Sequence, residues 1–179
     1  MTRFALDTIE PIFQGHVFGV ERHHLQADDE SFSREVVTHP GAVAVVAVDA
    51  QGRVMLLRQF RAPTGGRILE IPAGTMDLDG EGAHEAAHRE LREETGFDAS
   101  QLVSLGWFFN SPGYCAQRTE IFLATELVEV GAAPAGIEEL DMEVVALELE
   151  AARSMVRSGE IRCAITALGL GLAAAELGG

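Results

Sequence analysis

The sequence predicts an α+β fold in which helices pack on a largely mixed sheet, and three observations predict it. Gly41 to Val48 (GAVAVVAV) is a continuous apolar run closed by turn residues at Asp49 to Gly52, and Val54 to Phe60 returns as a second run. The two read as a hairpin of core strands. From about Gly82 to Thr95 strong helix formers dominate, and Gly96 stands where a C-terminal cap belongs. Strand-like and helix-like segments then share the rest of the chain, with no repeat and no low-complexity linker.

Each element follows from local pattern. Ile12 to His24 mixes β-branched and aromatic residues around Gly15 and Gly19, and Ser31 to His39 reads as another strand. A loop from Arg61 to Arg67 carries Pro63 and paired glycines. Ile68 to Ile71 is a short strand that Pro72-Ala73-Gly74 should break. Strands are expected near Leu102 to Phe109, Glu120 to Leu127 and Met142 to Glu148. Helices are expected from about Leu149 to Val156 and Ile161 to Leu177. The organisation expected is a β subdomain at 1–40 and a main domain at 41–179.

Composition narrows the function classes. The 179 residues hold 28 acids against 13 bases, a net charge of −15, and every base is arginine. Such a surface repels a nucleic-acid backbone, so duplex binding is not expected. A small anionic substrate is compatible if cations and a few arginines reverse the local potential. No run of about 18 apolar residues occurs, and Asp7 and Glu10 follow the start where a signal segment would be apolar. A soluble, cytoplasmic protein without membrane partners is expected. Cys115 and Cys163 lack metal-like or disulfide-like spacing and read as reduced thiols.

The helix at 82–95 carries the chemistry. With Glu90 at zero and roughly 100° per residue, Glu94 lies near 40° and Glu93 near −60°. Three carboxylates therefore share one stripe. Like charges at this spacing repel, unless a cation that takes oxygen ligands turns repulsion into coordination. The plain alternative is a solvated acidic face. Against it, Ala83, Ala86 and Ala87 lie on the same stripe, as on a face that packs closely, and Arg89 stands beside the cluster as a brace. The same helix spells His84-Glu85-Ala86-Ala87-His88, a zinc-protease spacing. Its histidines point away from the alanine stripe, and ordinary exposed histidines are the simpler reading.

Gly74, six residues, Glu81, seven residues, then Arg89-Glu-Leu-Arg-Glu-Glu-Thr-Gly-Phe97 resembles the Nudix box. The family has five residues where this chain has six before Glu81; the second half matches throughout. The resemblance implies an α/β/α sandwich that hydrolyses nucleoside diphosphate derivatives with Mg2+, or Mn2+ as a substitute. It implies Glu90 and Glu94 as principal metal ligands, Glu93 as support, the carbonyl of Ala73 as a further ligand, and Arg89 within the catalytic cluster.

The resemblance continues outside the box. Arg34 to Ala42, Leu57 to Arg61, Leu69 to Gly74, Ser111-Pro112-Gly113 and Ser158 to Arg162 are similar to the ADP-ribose pyrophosphatase branch. It implies substrate contacts from Arg61, Glu70, Arg34, Pro112, Gly113 and Gln117, with Phe109 and Tyr114 as possible walls. It also implies a general base on a late acidic loop, where Glu138 is preferred and Glu139 is the runner-up. Relatives often carry an acid where this chain has Ala116-Gln117, which opens GDP-mannose or UDP-glucose type substrates. A catalytically silent nucleotide-sugar-binding module is the alternative of a different class. The N-terminal strands resemble the sheet through which such enzymes form homodimers.

Overall fold

The computed structural model describes residues 3–131 and 139–178. Among them are ten strands: β1 (Phe4–Gln14), β2 (Gly19–Ala27), β3 (Glu30–Thr38), β4 (Ala42–Val48), β5 (Arg53–Arg61), β6 (Gly66–Glu70), β7 (Ala73–Thr75), β8 (Phe97–Phe109), β9 (Arg118–Glu129) and β10 (Glu143–Glu148). Three α-helices accompany them: α1 (Ala83–Thr95), α2 (Leu149–Ser158) and α3 (Ala164–Glu176). They fall into two compact units, Met1–Gly41 with Phe109–Arg118, and Ala42–Phe108 with Thr119–Gly179.

The first unit is built on an antiparallel sheet, β1-β2-β3. Its first strand begins eight residues earlier than the pattern at Ile12 suggested, because Pro11, the acids at Asp7 and Glu10 and a register shift between Leu6 and Thr8 break any regular alternation of Phe4, Leu6 and Ile9. The Ser-Pro-Gly turn belongs to this unit. Val37 donates its N–H to Tyr114 O at 2.8 Å and accepts from Ala116 N at 2.9 Å, which fixes residues 114–116 along β3.

The second unit is a layered sandwich. Its sheet runs β10-β5-β4-β9-β8, with β6 paired to β5 and β7 to β4; β4 and β9 are parallel and the β4–β5 and β5–β10 pairs antiparallel. All seven residues of β4 are buried. Ala44, Val46 and Val48 enter one apolar cluster with Leu56, Ile121, Ala152 and Leu170, on the side of α2 and α3. Val43, Val45 and Ala47 enter another with Met55, Ala86, Ala87, Leu91 and Phe122, on the side of α1. Side chains alternate across a strand, so a strand covered by helices on both faces must be apolar at every position. That is why the run from Gly41 shows no polar alternation.

Strand β6 ends before Pro72 as expected, and Ala73 and Gly74 then open a further short strand. β7 pairs antiparallel with β4, Ala42 facing Thr75 and Ala44 facing Ala73. Pro72 lacks an N–H, but its carbonyl still accepts from Val45 N at 2.8 Å. This strand sets the floor of the carboxylate site.

Candidate carboxylate site

Helix α1 starts after Gly82, carries Glu85 in its first turn and Arg92 in its last, and stops at Gly96, whose φ of 77° lets its N–H reach Arg92 O. Its inward stripe is Ala86, Ala87 and Leu91, none of them exposed. These small residues bring the helix axis close to β4 and β7, and they carry Glu90 and Glu94 inward as well. Both glutamates are only 8% exposed, so the face is not a solvated acidic one.

Buried carboxylates need partners. Glu94 Oε2 accepts the N–H of Ala73 at 2.9 Å. Glu90 lies against Gly74: a Cβ added there would sit 1.9 Å from the Glu90 carboxyl carbon. The motif glycine is therefore an approach surface for a carboxylate. Arg89 Nε and Nη2 fork onto the two oxygens of Glu81 at 2.8 and 2.9 Å. Its Nη1 reaches Glu90 at 2.6 Å and Glu93 at 3.2 Å, and Nη2 donates to the Thr75 carbonyl at 3.3 Å. The fork onto Glu81 raises the Arg89 pKa above its ordinary value, with burial opposing and Glu90 adding to the rise. In return it holds the Glu81 carboxyl below the usual range.

The extra residue before Glu81 does not disturb this arrangement. Glu81 donates its N–H to Leu78 O at 3.1 Å, so a turn takes up the added length and the carboxylate still meets Arg89. The two histidines are committed elsewhere. His88 Nδ1 pairs with Asp98, which Arg92 also reaches at 3.2 Å. Against the pull of burial, His88 and the Ala99 N–H hold Asp98 below its ordinary pKa. The His84 ring meets Phe122 edge-on at 6.1 Å between centroids.

A second polar group lies between β5 and β6. Arg61 Nε donates to Glu70 Oε2 at 2.7 Å, with the Glu70 side chain only 12% exposed. Cys163, just before α3, hydrogen-bonds the same carboxylate, and burial pushes its thiol pKa up, so it stays protonated. Thr166 Oγ1, fully buried, accepts the N–H of Ile71 at 3.1 Å and ties the residue after β6 to α3.

The residues expected from sequence thus divide. Glu81, Arg89, Glu90, Glu93 and Glu94 come together, and Ala73 joins them, the visible contact being its N–H to Glu94. Arg61 and Glu70 form their own pair in the same unit. Arg34, Pro112, Gly113 and Gln117 belong to the other unit, where Arg34 stacks over Phe32 at 4.8 Å. Glu139 opens a single 3-10 turn, Glu139–Asp141, and Glu138 lies outside the described residues. Sequence reading passed over Gln59, 2% exposed on β5, although a polar residue at the buried parity of Met55 and Leu57 was a signal.

The donor set is one of hard oxygens, which suits Mg2+ or Mn2+ rather than a thiophilic ion. The fit is local: two buried carboxylates one helical turn apart, and a glycine backbone that leaves one of them room. Among the described residues no three acidic, histidine or cysteine side chains converge on a point, and Arg89 engages Glu81, Glu90 and Glu93.

The NUDIX domain family model matches residues 38–160. The chain is 39% identical over 159 residues to an ADP-ribose pyrophosphatase of Bacillus subtilis, covering 88% of this chain and 85% of that protein. It is 39% identical over 174 residues to an ADP-ribose pyrophosphatase of Mycobacterium tuberculosis, covering 95% and 84%. A crystal structure of an ADP compounds hydrolase matches with a TM-score of 0.84 over 99% of this chain and 96% of that one. At 24% identity, it speaks to the fold alone.

Proposed function

The chain belongs to the Nudix family of hydrolases, and from that premise we propose that it splits the diphosphate of ADP-ribose into AMP and ribose 5-phosphate with Mg2+. The observation that carries the proposal is the pair of buried carboxylates on α1, Glu94 on the Ala73 N–H and Glu90 against Gly74. Two buried acids one helical turn apart are costly for stability and well placed for a cation.

Glu90 and Glu94 would hold the ion, Glu93 would assist, and the Ala73 carbonyl is proposed as a further ligand. When bound, the ion supplies charge neutralisation of the diphosphate and activation of water. The chain's own residues do the rest. Arg89 fixes Glu81 and keeps Glu90 in place. Arg61 offers a planar fork to phosphate oxygens, with Glu70 orienting it. Arg34, Pro112, Gly113 and Gln117 are proposed to contact the substrate. Glu138 is proposed as the base that takes the proton of the attacking water. Glu138→Gln is expected to lower kcat about a hundredfold with Mg2+ affinity unchanged. Full activity there, with an inactive Glu139→Gln, would move the base by one residue.

Ala116-Gln117 supports a second reading within the same chemistry, a nucleoside diphosphate sugar of the GDP-mannose or UDP-glucose type. The test is a panel of ADP-ribose, GDP-mannose, UDP-glucose, NADH and diadenosine polyphosphates with Mg2+. ADP-ribose is expected to give the highest kcat/KM. Turnover of none of them would reject hydrolysis, and tight ADP-ribose binding without turnover would favour a sensor. A homodimer through the N-terminal sheet is also proposed, supported by β1, whose Phe4, Leu6, Ile9, Ile12 and Phe13 are all exposed. Action in the cytoplasm on a small nucleotide, away from nucleic acid and membrane, is part of the same proposal. It is supported by the net charge of −15 and by the lack, among the described residues, of a helix long and apolar enough to cross a membrane.

A further inference from the structure

Gln59 is the one polar side chain among the described residues that is buried with an unpartnered nitrogen: it is 2% exposed and its Nε2 has no hydrogen-bond partner. An amide donor left this way is unfavourable, and the position could hold an apolar residue like its neighbours Met55 and Leu57. The β5–β6 ladder shows what lies beside it. Leu57 opposes Glu70, Gln59 opposes Ile68, and Arg61 opposes Gly66. Residues directly opposed in an antiparallel pair project from the same face. Leu57, Gln59, Arg61 and Glu70 therefore share one face. Along β6, Glu70 stands four positions from the residue opposite Arg61, yet Arg61 Nε reaches its carboxylate at 2.7 Å. The ion pair spans the register position of Gln59.

We propose that Gln59 is a positioning residue that takes over Glu70 when Arg61 turns from it to the substrate's diphosphate. The proposal rests on the reading above that Arg61 binds phosphate. Without substrate, Glu70 is satisfied by Arg61 and the Gln59 amide is not. With substrate, the Arg61 donors go to phosphate oxygens, and Glu70, 12% exposed, would keep only the Cys163 thiol. The Gln59 amide lies on the same face and replaces the lost donor. Its idle state in the free protein offsets what Arg61 gives up on binding. No proton or bond is transferred; two hydrogen-bond patterns exchange.

The test is steady-state kinetics on ADP-ribose with excess Mg2+, together with melting of the substrate-free protein, for the full chain carrying Gln59→Met, Glu70→Gln or both. Methionine keeps the length of the side chain and removes the donor. The expected result for Gln59→Met is a Tm equal to or above wild type, a KM about tenfold higher, and kcat within twofold. In the Glu70→Gln background the same change should move KM less than twofold, since its partner is no longer a buried charge. A wild-type KM in Gln59→Met, or additive effects in the double variant, overturns the proposal whatever the Tm does. A wild-type protein inactive on the whole substrate panel overturns the reading beneath it, and that outcome is distinct from both.

Discussion

Glu94→Gln is expected to lower kcat about a thousandfold while the Tm stays within a few degrees of wild type. The two halves of this expectation have separate physical grounds. Glu94 accepts the Ala73 N–H at 2.9 Å, and the glutamine carbonyl oxygen accepts that bond equally well. Removing the charge from an 8% exposed position also removes a desolvation cost, so the fold has little to lose. The chemistry loses a charged ligand to a divalent ion, which is worth several kcal/mol of transition-state charge stabilisation, hence about three decades of rate. Measuring kcat on ADP-ribose across a Mg2+ titration, with melting curves beside it, separates the two. A variant within tenfold of wild type at saturating Mg2+ would remove Glu94 from the ligand set. A variant that unfolds would show the carboxylate to be structural.

Such a division of labour could be read from the sequence only where one helix decides it. The stripe of Glu90, Glu94, Ala86 and Ala87 is local, since the 3.6-residue period alone places those side chains together. Gly96 ends the helix for an equally local reason. β4 was legible because burial on both faces leaves no polar position. What escaped was set by partners distant in sequence. β7 exists because β4 offers it a ladder, which Pro72 hides from any reading of residues 72–74. Segment 109–118 groups with the N-terminal sheet through Val37, and no feature of the Ser-Pro-Gly turn announces that. The fork of Arg89 onto Glu81 survives a longer loop because a turn at Leu78–Glu81 absorbs the length, a matter of backbone path and not of residue count. Gln59 looked like an ordinary polar residue in an apolar run until the register put it beneath an ion pair.

Gly74→Ala isolates the most consequential of these long-range contacts. The added methyl would fall 1.9 Å from the Glu90 carboxyl carbon and 2.0 and 2.3 Å from its oxygens, so one group must move. The Gly74 backbone is not in the left-handed region, and alanine adopts it without strain. The obstructing atoms are the tip of a flexible side chain, whereas Gly74 itself is held in the β7–β4 ladder opposite Val43. Glu90 is therefore the part that yields. Swinging it aside gives up the charge-assisted hydrogen bond from Arg89 Nη1, worth on the order of 2 kcal/mol. The Tm should then fall by only a few degrees. Activity should fall by about a hundredfold or more, because displacement of about an ångström at a reacting centre has that effect. The decisive comparison is with Glu90→Gln. If Gly74→Ala acts by moving the carboxylate, the double variant should be no slower than the slower single one. If the losses multiply, the glycine serves the reaction by another route, and its closeness to Glu90 would be packing alone.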